Sequence, residues 1–196
     1  PIDAYVCDLC FLVQLQEYVP RSAIFHEHAY FSSYSDSWVQ HAKHYAETIA
    51  ERVGLGAHSF IVEVGSNDGY LLPHFLAKGV PVLGVEPAAN VAQVAIQKGI
   101  PSIVKFFGKT TARELATAGK CADLLLANNV LDLVPDLNDF VGGMKVLLKP
   151  KGVITMEFPY LMKLMQDNQF DTIYHEHLSY FSFLTVEQVF AAHGIT

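Results

Sequence analysis

From residue 60 onward the chain keeps one rhythm, and that rhythm limits the fold more than any other feature. "FIVEVG" is a compact apolar run, "DGYLLPHFLAKG" has helical spacing with Pro73 near its first turn, and "VPVLGVEP" is a second apolar run. "ANVAQVAIQKG" reads as a helix, "PSIVKFF" as a third strand and "TTARELATAGK" as another helix. "ADLLLANNVL" is a fourth strand, "LNDFVGGMKVLLKP" a helix ended by Pro150, and "GVITMEFP" a fifth strand. Short buried strands alternating with helices predict βαβ units, hence an α/β fold with a parallel sheet and helices on both faces. Such a sheet takes its ligand beyond the carboxyl ends of the strands, where strand order reverses.

The flanks read differently. "YVCDLCFLVQLQEYVP" suggests two strands around a CxxC knuckle. "DSWVQHAKHYAETIAERVGL" is helical: Trp38, Ala42, Tyr45, Ala46, Ile49 and Val53 recur at three or four residues, and Gly54 and Gly56 are stop signals. Residues 159–183 are aromatic-rich with weak periodicity, and "TVEQVFAAHG" closes the chain as a helix that Thr185 could cap, with Glu187 in its first turn. The start at Pro1 without a methionine, and the stop at "FAAHGIT" where a strand is expected, read as a fragment of a longer protein.

With 196 residues, 51% hydrophobic and 17% charged, the chain can bury one sizeable core. A net charge of −7 gives no general attraction to nucleic acid or to an anionic membrane. No apolar run approaches a membrane span and no signal-peptide pattern opens the chain. Three cysteines make no even disulfide framework, which points to a reducing, cytoplasmic setting.

"FIVEVGSNDGYLL" carries the clearest ligand signal. A buried strand runs into Gly65, Ser66, Asn67, Asp68 and Gly69 before a helix, so the backbone can turn sharply and let a ligand approach. The dinucleotide fingerprint GxGxxG is absent, since the spacing here is GxxxG without the third glycine. Glu63 and Asp68 would repel a pyrophosphate but suit a ligand bearing positive charge. One strand later, Glu86 stands where an acid can accept both hydroxyls of a ribose. A nucleoside with a cationic tail and no phosphates fits the pattern, namely S-adenosylmethionine. The bland alternative is that Glu63, Asp68 and Glu86 are caps and turn residues. Phe106 or Phe107 could flank an adenine, at least one of them being core, and Asn128 at the fourth strand's end could bond the methionine part of the cofactor.

With these residues placed, the chain resembles the C-methyltransferases of deoxysugar biosynthesis, which act on nucleotide-linked 3-keto-6-deoxy sugars. The likeness runs through "CDLCFLVQL", "YFSSYSDSW", "VEVGSNDGYLL", "GVEP" and "DTIYHEHLSYFS". It implies a Rossmann-like class I methyltransferase domain at residues 59–196, truncated before its last two strands. Part of a small zinc-binding module at residues 1–24 and a helical linker or lid at residues 25–58 would precede it. Cys7 and Cys10 would supply half of a tetrahedral zinc site, whose other cysteine pair in the family comes from an earlier CxxC. His26, His28, His41 and His44 could substitute, or be scattered polar positions.

Methylating carbon requires a carbon nucleophile, so a proton beside a ketone must leave and an enolate oxygen must be stabilised. By resemblance Tyr174, Glu176 and His177 form the catalytic set: His177 the base, Glu176 its orienter and Tyr174 a donor or relay, with His175 structural. His28, Tyr30 and Leu133 match positions that, by the same resemblance, would face the substrate. Two of them depart from the family, which usually carries a tyrosine at position 28 and a histidine at 133. The rivals are a metal held by His175 and His177, a buried cluster that braces the fold, a nicotinamide-dependent nucleotide-sugar dehydrogenase or epimerase, and a cofactor-binding remnant without chemistry. An open edge at the fifth strand would invite pairing of chains, a route to a homodimer.

Overall fold

The computed structural model describes residues 2–25 and 27–196, leaving Pro1 and His26 outside the described residues. Strands β1 (Ala4–Val6) and β2 (Val13–Leu15) form an antiparallel hairpin around the CxxC turn, with Ala4 opposite Leu15. A single helical turn, α1 (Arg21–Ile24), leads to α2 (Asp36–Val53). Helix α2 starts where the Ser35 side chain accepts a hydrogen bond from the Trp38 amide, and ends at Gly54, whose φ of 69° is a left-handed cap conformation.

The alternating region then runs β3 (Ile61–Val64), α3 (Pro73–Leu76), β4 (Val82–Val85), α4 (Ala89–Gln97), β5 (Ser102–Ile103), α5 (Lys109–Thr117), β6 (Ala122–Asn128), α6 (Leu137–Leu147) and β7 (Leu148–Glu157). The chain finishes with α7 (Leu161–Gln166), β8 (Ser179–Tyr180) and α8 (Phe183–Ala191). Strands β3 to β7 form one parallel sheet in the order β5-β4-β3-β6-β7. The order reverses between β3 and β6, so the loops that follow these two strands border the crevice where a ligand is expected.

Because side chains alternate along a strand, the sheet feeds two cores. Ile61, Val82, Leu124 and Leu126 pack with Ala46 and Ile49 of α2 and with Leu71, Leu72 and Phe75. Val62, Val64, Leu83 and Leu125 pack on the other face against Leu115, Phe140, Val141, Met144 and Phe190. Burial on both faces is why these strands read as continuous apolar runs.

Four details differ from the sequence expectations. The first helix of the core shrinks to α3, because positive φ at Gly65, Asn67 and Gly69 keeps the preceding residues in turns. The third strand is only Ser102–Ile103, and Phe106 beyond it is 49% exposed. Pro150 lies inside β7 and not at the end of a helix, and the edge position tolerates its missing N–H. Ser182, not Thr185, caps α8: its hydroxyl accepts from the Thr185 amide at 3.2 Å, and Glu187 falls beyond the first turn.

A second sheet joins the ends of the chain. β8 pairs antiparallel with β2, Val13 opposite Tyr180, giving the order β1-β2-β8. Among the described residues no helix is long and apolar enough to cross a membrane.

Candidate active site

One cavity of about 450 Å³ opens at the carboxyl ends of β3, β4 and β6. Its floor comes from the loop after β3. Gly65 (φ 68°) lines it, and any side chain there would collide with Val130. Asn67, left-handed at φ 49°, also lines it and donates its backbone N–H to Glu86 Oε2 at 2.9 Å. The Ala88 amide reaches Glu86 Oε1 at 2.9 Å, so this buried carboxylate is oriented by two N–H donors. Burial pushes its pKa up and these two donors oppose the shift. A carboxylate offers roughly four lone-pair directions, which leaves Glu86 free to accept from a ligand.

Phe106 and Asn128 line the same cavity. Phe107 lines it too but packs edge-on against Phe140 with ring centres 5.5 Å apart and joins the core, whereas Phe106 is the exposed ring. Glu63 and Asp68 behave differently from the cationic-ligand expectation. Neither they nor Gly69 lines the cavity. Glu63 is fully buried within β3, and among the described residues neither of its oxygens has a hydrogen-bond partner. Burial, then the charge of Glu86, pushes its pKa well above the carboxylate range. The Asp68 carboxylate accepts from Ser33 N–H at 3.2 Å, from the Ser33 hydroxyl and from Lys98 Nζ at 3.1 Å. Asp68 therefore latches the segment at residues 28–33 over the loop. Asn67 does the same, accepting from Ser32 N–H at 2.8 Å and donating to the Tyr30 carbonyl at 3.1 Å.

This latched segment brings His28 and Tyr30 to the cavity wall. The backbone of His28 is held in turn by Asn90, at 3.1 Å and 2.8 Å. Leu133 lines the cavity as well, next in sequence to Asp132.

Tyr174, Glu176 and His177 line the cavity too, whereas His175 does not and packs edge-on against Tyr18 at 5.8 Å. The Tyr174 hydroxyl lies 2.9 Å from His177 Nε2. Burial raises the Tyr174 pKa, and the charges of Glu176 and Asp132 add to the shift. Glu176 makes no ion pair with His177 among the described residues. The carboxylate beside the ring is Asp132, with Oδ2 3.5 Å from Nε2 in surroundings that leave the two side chains only 5% and 16% exposed. Burial raises the Asp132 pKa, while His177 and Arg21 pull it down. Sequence reasoning missed Asp132 and Arg21. Asp132 is next to Leu133, the position examined for proton chemistry, but nothing in its spacing marked it.

Cys7 and Cys10 form the expected knuckle. The Cys7 thiol is held below its ordinary range by the Cys10 and Leu9 amides and the Cys10 side chain, an arrangement that suits a thiolate ligand. Two thiols are half of a tetrahedral site, and no group of three or more metal-ligating side chains occurs among the described residues. His41 instead pairs with Glu157 at 2.5 Å.

The chain is 36% identical over 195 residues to the C-methyltransferase NovU of Streptomyces niveus, covering 100% of the chain and 46% of that protein. It is 30% identical over 95 residues to the ubiquinone biosynthesis O-methyltransferase of Bartonella tribocorum, covering 48% of the chain and 38% of that enzyme. The chain thus spans less than half the length of these relatives. The crystal structure of an S-adenosylmethionine-dependent methyltransferase from Archaeoglobus fulgidus superposes with a TM-score of 0.61 at 13% identity, over 78% of this chain and 68% of that one, which supports the Rossmann-like fold. The nicotinamide-dependent reading is overturned by these matches. The family described as a methyltransferase domain matches residues 37–196, and the chain belongs to it, with S-adenosylmethionine as its cofactor.

Proposed function

We propose that this protein transfers a methyl group from S-adenosylmethionine to a carbon beside the ketone of a nucleotide-linked deoxysugar, through an enolate. The observation that carries the reading is the shared cavity: Gly65, Asn67 and Glu86 line it together with Tyr174, His177 and Asp132. The likeness to a protein named as a C-methyltransferase supports carbon as the acceptor.

Glu86 would hold the ribose hydroxyls, Phe106 the adenine face and Asn128 the methionine end. Gly65 and Asn67 supply the close backbone. When bound, S-adenosylmethionine supplies an electrophilic methyl group on a positively charged sulfur. The chain's own work is to make the nucleophile. As the C–H bond breaks, its electron pair moves into the enolate and its proton passes to the Tyr174 oxygen, which hands its own proton to His177 Nε2. A concerted relay avoids a free phenolate, which burial and two neighbouring acids disfavour. The imidazolium formed then faces Asp132 at 3.5 Å. In this reading Asp132 takes the orienting role expected of Glu176, while Cys7 and Cys10 supply two thiolates to a structural zinc site.

The test separates proton removal from methyl transfer. The protein, with S-adenosylhomocysteine and a nucleotide-linked keto-deoxysugar in heavy water, should exchange the proton beside the ketone for deuterium. His177→Ala should abolish exchange and keep S-adenosylhomocysteine affinity. Absence of both exchange and methyl transfer in a protein that binds the cofactor would reject the reading.

A further inference from the structure

Arg21 has no part in the steps above, yet it lines the same cavity. It opens α1 and is 7% exposed, and its Nε, Nη1 and Nη2 are closed to solvent without a hydrogen-bond partner among the described residues. Its backbone is fixed: Pro20 precedes it with φ −65°, and its carbonyl accepts from Phe25 N–H at 2.9 Å. Glu17, Glu176 and Asp132 act on it through their charge, and none bonds it. A guanidinium keeps its charge at any ordinary pH, so Arg21 is a buried cation with its donor fork unengaged.

Among the described residues that line the cavity, Arg21 is the only lysine or arginine, whereas Glu86, Asp132 and Glu176 are acids. Beside the expected ribose position stands the Glu86 carboxylate, which disfavours an anionic group next to it. A permanently negative group on an acceptor therefore has one favourable place to go. A planar fork of N–H donors matches two oxygens of a phosphate better than it matches a single enolate oxygen.

We propose that Arg21 is the phosphate subsite of the acceptor, binding non-bridging oxygens of the diphosphate that links sugar to nucleoside. The inference rests on the reading that the acceptor is nucleotide-linked. Titrating thymidine and uridine diphosphates, each against its own nucleoside, into the S-adenosylhomocysteine complex tests it. Arg21→Met should weaken diphosphate binding by about tenfold or more, the size of a lost charged hydrogen bond, and leave nucleoside binding unchanged. Arg21→Lys, which keeps the charge and loses the fork, should fall between. Retained S-adenosylhomocysteine affinity shows that each variant folds; if Arg21→Met fails that check, Arg21→Lys decides alone. Wild-type protein that binds neither diphosphate would sink the nucleotide-linked reading and this inference with it. Diphosphate binding equal in wild type and variants would sink the inference alone. Slower deuterium exchange at unchanged diphosphate affinity would place Arg21 at the enolate oxygen and overturn the phosphate assignment.

Discussion

Asp132→Asn isolates the charge that the structure sets beside His177. Asparagine matches aspartate in shape, and the hydrogen bond from the Leu178 amide goes to the backbone carbonyl of residue 132, at 2.7 Å, which the substitution leaves in place. The charge is lost, and one carboxylate oxygen becomes an NH2 group. At the 3.5 Å separation of Oδ2 and Nε2, opposite unit charges attract by about 5 kcal/mol at an effective dielectric of ~20. Two effects reduce that figure. Burial already makes the Asp132 carboxylate costly to keep ionised, and the asparagine oxygen can still accept a hydrogen bond from the ring. The expected net loss is about 2–3 kcal/mol, or roughly 30- to 150-fold in rate.

The loss should fall on kcat. In the proposed relay His177 gains a positive charge as it takes the proton, so Asp132 would favour the reacting state over bound substrate, and KM and S-adenosylhomocysteine affinity should hold. Steady-state methyl transfer and deuterium exchange read both parts. Glu176→Gln is the control, since Glu176 lies in the cavity without pairing to the ring. A kcat within about twofold of wild type for Asp132→Asn, together with a large loss for Glu176→Gln, would refute the assignment and restore Glu176 as the orienting acid.

The acids of the cofactor loop give two further expectations. Glu63→Gln should stabilise the protein at neutral and alkaline pH: the folded pKa is raised above 4.5 by burial, so the stability Glu63 contributes is complete below 4.5 and is lost as pH rises through the folded value. Melting temperatures of variant and wild type should converge in acid and separate as pH rises, and a difference that is flat with pH would contradict this. Asp68→Asn should lower stability to urea by about 1–2 kcal/mol, discounted because Lys98 is 41% exposed, and should speed proteolytic cutting within residues 28–33. Unchanged cutting would mean that Asp68 does not hold the segment.

What could be read in advance follows the range of the interactions involved. β3, β4 and β6 were legible because they are buried on both faces and their apolar runs are local facts. The turn at Gly65 was legible for the same reason, since a strand running into closely spaced glycines constrains its own backbone. Asp68 shows the limit. Its charge and burial could be anticipated, but its partners Ser33 and Lys98 are 35 and 30 residues away, and they turn a presumed cofactor acid into a latch. Asp132 sits in a single 3-10 turn (Leu131–Leu133) without periodicity, so its meeting with a histidine 45 positions later could emerge only from the folded chain. Arg21 is a similar case, a lone charge after a proline whose neighbours come from residues 132 and 176.

The small antiparallel sheet explains how a segment so poor in regular structure can hold the His177 side chain in place. The residue after His177 is bonded on both sides: Leu178 N–H donates to the Asp132 carbonyl at 2.7 Å, and Leu178 C=O accepts from Leu15 N–H at 2.8 Å. One bond ties the segment to the rim of the parallel sheet and the other ties it to the CxxC hairpin, and β8 follows directly, paired with β2. His177 is therefore located by two pieces of chain that lie far apart in sequence and meet only at its neighbour's peptide. Positioning of this kind is demanding, because displacements of about 1 Å can cost on the order of a hundredfold in rate. The hairpin thus reaches the site through the backbone of Leu178, and among the described residues that line the cavity none comes from it.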